Sequence, residues 1–243
     1  MSLSDRLKAV AAMITPGLRV ADVGCDHGYL AIYLIRKNIS PHVIAMDVGE
    51  GPLMRAVEHV REAGLTDRIE TRLSDGLDKL AEDEAECVVM AGMGGRLMMK
   101  IMEDGEAVCS EIREFILQPQ SETEAVRHFL EDNGYRIISE DMVFEDDKFY
   151  PMMKVIHGKM DLDKPVYYRY GRILIKEQHP VLRAYLRRER RNLLDIAEGL
   201  RQSGDSERVK IRLKEISEDI AIVDEAIARS DKKHPVTIER VIK

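Results

Sequence analysis

Cysteine is scarce in this sequence, and the three present, Cys25, Cys87 and Cys109, are odd in number and form no Cys-x-x-Cys pair. Neither a disulfide framework nor a zinc site is expected from them. The seven histidines never take His-x-x-x-His spacing, so no metal is expected. Long hydrophobic runs are missing too: Ala9-Val10-Ala11-Ala12-Met13-Ile14 gives way to Thr15 and Pro16, far short of a membrane span. No basic leader or apolar signal core accompanies it, and a cytoplasmic protein with no membrane partner is expected. Positive charge is not in excess: 37 Lys and Arg face 44 Asp and Glu, a formal net charge of -7, which at first sight argues against a nucleic-acid binder. What is there is ordinary for a globular chain, 44% hydrophobic and 33% charged, and excludes disorder. The 243 residues suffice for one large α/β domain with an appendage, or for two modest ones.

From Leu18 to about His157, short β-branched runs alternate with helical stretches, the pattern of a parallel α/β sheet. Strands are expected at Leu18 to Val23, His42 to Asp47, Arg68 to Leu73, Glu86 to Ala91 and Arg113 to Leu117. Two more, Tyr135 to Phe144 and Phe149 to Ile156, are separated by only four residues and must pair as an antiparallel hairpin. Before the first strand, Leu3, Leu7, Val10 and Ile14 recur on one helical face, with Ser2 or Ser4 available as the cap. Met90, Met93, Met98, Met99 and Met102 surround the fourth strand and its helix and read as adaptable core packing.

The first strand ends in Asp22-Val23-Gly24-Cys25-Asp26-His27-Gly28, ahead of a helix starting at Tyr29. Open α/β sheets bind ligands at the carboxyl ends of their strands, where glycine admits a close backbone and the next helix offers free N–H groups. The second strand ends at Asp47-Val48, about 20 residues beyond the glycines, where a carboxylate can take both hydroxyls of a ribose. A phosphate-cradling P-loop is unlike this, since no Lys-Ser or Lys-Thr follows Gly28. A dinucleotide loop is also unlike it, because Asp26 stands where a second glycine should admit pyrophosphate. A cationic, phosphate-free adenosine cofactor, S-adenosyl-L-methionine, fits Asp22 and Asp26 and still calls for Asp47. Ser74-Asp75-Gly76 follows the third strand, where an acid can take the adenine amino group; Ala91-Gly92-Met93-Gly94-Gly95 follows the fourth, where a substrate can approach the methyl group. Cofactor contacts are accordingly assigned to Asp22, Gly24, Cys25, Asp26, His27, Gly28, Asp47, Val48, Ser74, Asp75, Gly76, Ala91, Gly92 and Met93. The expected fold is a Rossmann-like class I methyltransferase domain over residues 1–158.

These segments, with Leu117-Gln118-Pro119-Gln120, resemble the TrmK family of bacterial tRNA adenine-N1 methyltransferases, and the resemblance covers nearly the whole chain. It implies methylation of N1 of the adenine at position 22 of tRNA and a C-terminal coiled-coil domain. The chain departs from the family at Gln120, where asparagine is expected after the proline. N1 is nucleophilic only when unpaired, so the base must be exposed or flipped. Alkylation leaves the purine cationic, and a carboxylate or amide oxygen would stabilise that charge. Asp26 is the first candidate, Gln118 and Gln120 the second, with Tyr29 stacking on or hydrogen-bonding the base. Plainer roles stand beside these: Asp26 as a helix cap, Tyr29 as packing, the glutamines as turn supports, Cys25 as a space filler and His27 as a structural or cofactor contact.

After the bridge from Gly158 to Pro165 the strand pattern ends. Val209, Leu213, Ile216, Ile220, Val223 and Ile227 form an a/d heptad seam, and Leu182, Leu186, Leu193, Ala197 and Leu200 a looser stripe, joined by the turn Ser203-Gly204-Asp205-Ser206. An antiparallel helical hairpin over residues 159–243 is expected, with dimerisation through the second helix as the alternative; the protein is read as a monomer or weak homodimer. The net charge divides unevenly: residues 1–158 carry 17 basic and 29 acidic side chains, residues 159–243 carry 20 and 15. Lys176, Arg183, Arg187, Arg188, Arg190 and Arg191 cluster on one expected helix with Tyr167, Tyr168, Tyr170 and Tyr185 interspersed, a pattern for phosphate contacts and base stacking; a solvated, ion-paired face is the plain alternative. The residues alone reach a methyltransferase with a basic helical appendage; the base, the atom and the tRNA position come from the resemblance. A methyltransferase of another RNA base or a small molecule, or a non-catalytic coiled-coil module, stays open as a reading.

Overall fold

The computed structural model describes residues 3–204 and 206–231; Ser2, Asp205 and the end of the expected helical region from residue 232 lie outside them. Contacts divide the chain into two units that meet between Asp163 and Lys164, five residues beyond the expected boundary.

The first unit begins with helix α1 (Asp5–Met13), whose N-cap is Ser4: its hydroxyl accepts from the Leu7 amide at 3.2 Å. There follow β1 (Val20–Val23), α2 (Tyr29–Arg36), β2 (Val43–Asp47), α3 (Glu50–Glu62), β3 (Ile69–Leu73), β4 (Cys87–Met93), α4 (Gly95–Asp104), α5 (Glu106–Glu111), β5 (Glu114–Pro119), α6 (Thr123–Asp132), β6 (Tyr135–Glu145) and β7 (Lys148–His157). They build a seven-stranded sheet in the order β3-β2-β1-β4-β5-β7-β6. β1 to β5 are mutually parallel, and β7 runs antiparallel to both β5 and β6. This is the Rossmann-like methyltransferase sheet, and all seven expected strands are present.

The sheet is covered on both faces, which is why β1, β2 and β5 read as nearly continuous apolar runs instead of alternating ones. Val20, Val43, Ala45, Cys87 and Val89 pack with α1, α2 and α3 on one face, whereas Ala21, Val23, Met46, Val88 and Met90 pack with α4, α5 and α6 on the other. Met90, Met98 and Met102 are core residues, as the sequence pattern indicates. Each fully buried Leu or Met contributes about 1.5–3 kcal/mol. Inside this apolar setting lies one closed ion pair: Arg127 of α6 donates to Glu140 of β6 at 2.8 Å, each side chain 1% exposed. It fastens the terminal hairpin to the helix that precedes it.

The second unit holds α7 (Pro165–Tyr170), α8 (Arg172–Lys176), α9 (Pro180–Gln202) and α10 (Glu207–Ser230). Ser206 caps α10, its hydroxyl accepting from the Val209 amide. Ion pairs Arg183–Asp231 and Arg190–Asp224 match the start of α9 to the end of α10, so the two helices are antiparallel. Lys176 sits on α8, apart from the arginines of α9, which corrects the single-helix expectation; Gln178 with φ +55° marks the break. Tyr167 and Tyr170 are buried, which removes both from any base-stacking platform. Among the described residues no helix is long and apolar enough to cross a membrane.

Candidate active site

The carboxyl ends of β1, β2, β4 and β5 come together because these strands are neighbours in register: Val23 lies beside Met46 on one side and Met90 on the other, and Ala91 lies beside Gln118. The chain leaves β1 through Gly24, whose amide, like that of Cys25, donates to the Met46 carbonyl at 2.9 Å. Gly24 has φ +76°, the left-handed region that favours glycine, while the 3.2 Å approach of a Cβ there to Cε of the flexible Met93 side chain is a tight but yielding contact. The turn then carries Asp26 in the left-handed region at φ +49° and closes at Gly28, the N-cap of α2. No side chain caps that helix, so the capping role considered for Asp26 is not realised. The Asp26 carboxylate is instead 66% exposed, with Arg55 at 3.9 Å and His27 at 3.6 Å.

Asp47 is held by backbone on both oxygens: Oδ2 accepts from the Asp26 amide at 3.0 Å and Oδ1 from the Gly49 amide at 2.9 Å. Beside it, Val48 is 68% exposed, an apolar surface left open at the end of β2. Asp22 is the unusual group. It is 4% exposed, and its Oδ2 is buried with no hydrogen-bond partner. Burial, and secondarily the Asp47 charge, push its carboxyl up to about 7. An orphaned acid buried at the end of β1 next to an amide-anchored acid at the end of β2 suits a ligand that brings a cation and a pair of hydroxyls, as S-adenosyl-L-methionine does. Cys25 is buried and its thiol is pushed upward by burial and by the acids around it, so it stays protonated and inert.

At the end of β3, the Ser74 hydroxyl donates to the Gly76 carbonyl at 3.1 Å and accepts from the Lys79 amide, which engages its side chain in the loop itself; Asp75 is exposed. His27 accepts from Arg55 at Nδ1, and its ring stacks on Tyr29 with centroids 5.3 Å apart. Tyr29 stacks in turn on His59 at 4.9 Å.

A residue that sequence reasoning missed enters from α1. Arg6 donates from Nη1 to the Gln118 Oε1 at 2.7 Å and lies over the Tyr150 ring of β7 at 5.4 Å. Gly92 makes room for it: φ is +84°, and a Cβ there would meet the guanidinium at 3.2 Å and the Gln120 Nε2 at 3.6 Å. Gln118 is fully buried, its amide also donating to the Pro119 carbonyl at 3.2 Å. A direct contact between Gln118 and a substrate base is therefore replaced by a supporting role through Arg6. No motif marks Arg6 in the sequence; only its place on the polar side of an amphipathic helix that precedes the sheet would draw attention to it. In the second unit, Arg183 pairs with Asp231 and Arg190 with Asp224; Arg187, Arg188 and Arg191 are exposed on the same helix.

Residues 3–153 match the methyltransferase domain family. The tRNA (adenine(22)-N(1))-methyltransferase of Bacillus subtilis is 31% identical over 232 residues, covering 93% of this chain and 98% of that one. The chain belongs to the tRNA (adenine(22)-N(1))-methyltransferase family. Solved structures of this fold agree over the same extent. A Streptococcus pneumoniae protein in complex with S-adenosyl-L-methionine is 32% identical, with a TM-score of 0.83 over 93% of this chain and 100% of that one. The TrmK of M. capricolum, bound to the cofactor product S-adenosyl-homocysteine, is 26% identical, with a TM-score of 0.81 over 94% and 99%. Membership in the family accounts for both the seven-stranded domain and the helical region behind it.

Proposed function

We propose that this protein transfers the methyl group of S-adenosyl-L-methionine to N1 of the adenine at position 22 of tRNA. The observation that carries the reading is the pair of acids at neighbouring strand ends, Asp22 orphaned and Asp47 anchored, in a chain similar over 93% of its length to a tRNA (adenine(22)-N(1))-methyltransferase. When bound, S-adenosyl-L-methionine supplies a methyl group on a positively charged sulfur. Asp47 accepts the ribose hydroxyls, its oxygens pre-aimed by the Asp26 and Gly49 amides. Asp22 faces the cationic end, and Val48 gives the adenine ring an apolar wall. Asp75 takes the adenine amino group.

The acceptor N1 attacks with its own lone pair, so the carbon–sulfur bond breaks as the carbon–nitrogen bond forms and no proton has to leave. What the chain must do is align and stabilise. The exposed Asp26 carboxylate meets the positive charge that grows on the purine, an interaction stronger in the transition state than before it. Tyr29 stacks on the flipped base. Arg6 and Gln118 hold the floor between the ends of β4 and β5, and Gln120 lines it. Arg187, Arg188 and Arg191 engage tRNA phosphates. A monomer or weak homodimer, acting in the cytoplasm where tRNA is met, goes with this reading. Incubating the protein with bulk tRNA and cofactor should yield N1-methyladenosine on nucleoside mass spectrometry, and Asp47→Ala should abolish cofactor binding measured by calorimetry. A different methylated nucleoside would refute the assignment of the base.

A further inference from the structure

We propose that the cleft between α1, α2 and α3 is a second RNA-binding groove, which holds the unpaired strand leading to the target adenine. The inference rests on the functional reading above and adds a surface to it. The cleft measures about 700 Å³ and is lined by Tyr29, Tyr33, Arg36 and Lys37 of α2 and its C-cap, Lys8 of α1 and His59 of α3.

Its upper end is the reaction centre. Tyr29 follows directly on the loop that carries Asp26, and the rings of His27, Tyr29 and His59 cluster there in a triangle, with centroid separations of 5.3 Å from His27 to Tyr29, 4.9 Å from Tyr29 to His59 and 5.8 Å from His27 to His59. From Tyr29 the groove runs down α2 to Lys37, roughly 12 Å at 1.5 Å per residue. A strand that left the flipped base at the loop would enter this groove at once.

Its chemistry fits the same occupant. Three cations and three aromatic rings face one acid, Glu62, within a domain whose side chains are otherwise dominated by acids. Rings that accept bases beside cations that accept phosphates are the elements of a single-strand binding surface. Helix electrostatics explain part of this, since Arg36 and Lys37 close α2 and offset its dipole. They do not explain Lys8, which projects from a different helix and remains 42% exposed despite its 2.8 Å contact with Asp5. Nor do they explain why Tyr29 and Tyr33 are left half-buried beside it. An apolar protein helix seated here would desolvate the three cations without compensation, whereas the phosphates of a polyanion offset that cost.

The test is the double charge reversal Arg36→Glu with Lys37→Glu, both exposed and remote from the sheet core, with Tyr33→Ala as a second variant. Binding of dye-labelled unmodified tRNA is followed by fluorescence anisotropy across a salt series. The charge reversal should weaken binding at least tenfold at 100 mM salt and flatten the log–log salt slope by about 1.4, from about 0.7 for each of two lost phosphate contacts. Tyr33→Ala should weaken binding about fivefold or more with the slope unchanged. Calorimetric affinity for S-adenosyl-L-methionine should stay at the wild-type value in both. An unchanged tRNA affinity and slope in the charge reversal would overturn the groove, as would a change confined to self-association on sedimentation. Wild-type protein that binds tRNA but makes no N1-methyladenosine would defeat the functional reading alone, and the binding titration would still decide the groove. Wild-type protein that fails to bind tRNA would defeat both.

Discussion

Replacing Asp22 by Asn should make the cofactor-free protein more stable and the cofactor bind worse. In the folded protein the Asp22 carboxyl titrates at about 7, pushed there first by burial and then by Asp47, against 3.8 as its ordinary value. The folded state thus holds this proton more tightly than the unfolded chain does, so the stability it contributes is complete below pH 3.8 and lost as pH rises to about 7. At 1.36 kcal/mol per unit, the ionised form costs about 4 kcal/mol by pH 8. An Asn in the same place loses the charge but still lacks a partner, which returns about 1–3 kcal/mol of cost. The balance is a gain near 2 kcal/mol, or about 4–8 °C in the melting temperature of the cofactor-free protein at pH 8. Cofactor binding responds in the opposite sense. A cationic ligand facing Asp22 favours the ionised carboxylate, so wild-type affinity should rise about tenfold per unit between pH 5.5 and 6.5, with uptake of the released proton by the buffer. Isothermal calorimetry in two buffers of different ionisation enthalpy reads both quantities. Asp22→Asn should bind weakly at every pH in that window. PH-independent wild-type affinity, or an Asn variant with full affinity and a lowered melting temperature, would refute the assignment of Asp22 to the cationic end of the cofactor.

Arg6→Ala leaves the buried Gln118 oxygen without its donor and should cost about 1–3 kcal/mol of stability, with a fall in kcat of tenfold or more and little change in cofactor affinity; Arg6→Lys keeps the charge without the planar fork and should recover only part of the rate. In the helical unit, Arg187, Arg188 and Arg191 changed together to Ala should flatten the salt slope of tRNA binding by about 2, whereas Arg183→Ala and Arg190→Ala, which break half-exposed ion pairs, should each cost under about 1 kcal/mol in thermal unfolding and leave the slope nearly as it was. Glu140→Gln removes the carboxylate that faces the buried Arg127 charge and should cost about 3–5 kcal/mol, while Arg127→Met with Glu140→Leu should restore most of the melting temperature.

The sheet was legible because β1, β2, β4 and β5 are short, largely apolar runs; β3, mixed in character and joined to β4 by turns with no helix between them, fits the pattern least. The loop acids were legible for a related reason, since Asp22, Asp26 and Asp47 occupy strand ends and strand ends are fixed by the pattern. Arg6 was not, because its partner Gln118 is 112 positions away and the contact exists only after β4 and β5 bring their ends under α1. The tyrosines of the second unit misled for the opposite reason. Tyr167 and Tyr170 stand beside Arg169 and Arg172 in the sequence, yet those arginines lie over their rings, Arg172 on Tyr167 and Arg169 on Tyr170, and Arg229 from the end of α10 also lies over Tyr167. Local composition cannot distinguish a ring that waits for a base from one already covered. The break between α8 and α9 has its signal in Pro180, the first residue of α9, with Gln178 at positive φ turning the chain just ahead of it; grouping Lys176 with the arginines passed over that signal.

The way α1 is fastened has a practical consequence for anyone cutting or tagging this protein. The Asp5 amide donates to the Glu145 carboxylate of β6 at 2.7 Å, and one residue later Arg6 reaches the buried end of β5. A helix that looks like an optional leader to the sheet is thus a wedge driven between the terminal hairpin and the reaction centre. Shortening the chain to start at β1 would keep every loop acid and glycine and still remove a wall of the site. A bulky group fused just ahead of Ser4 would push on that same wedge, so its effect would be felt in catalysis before it was felt in folding.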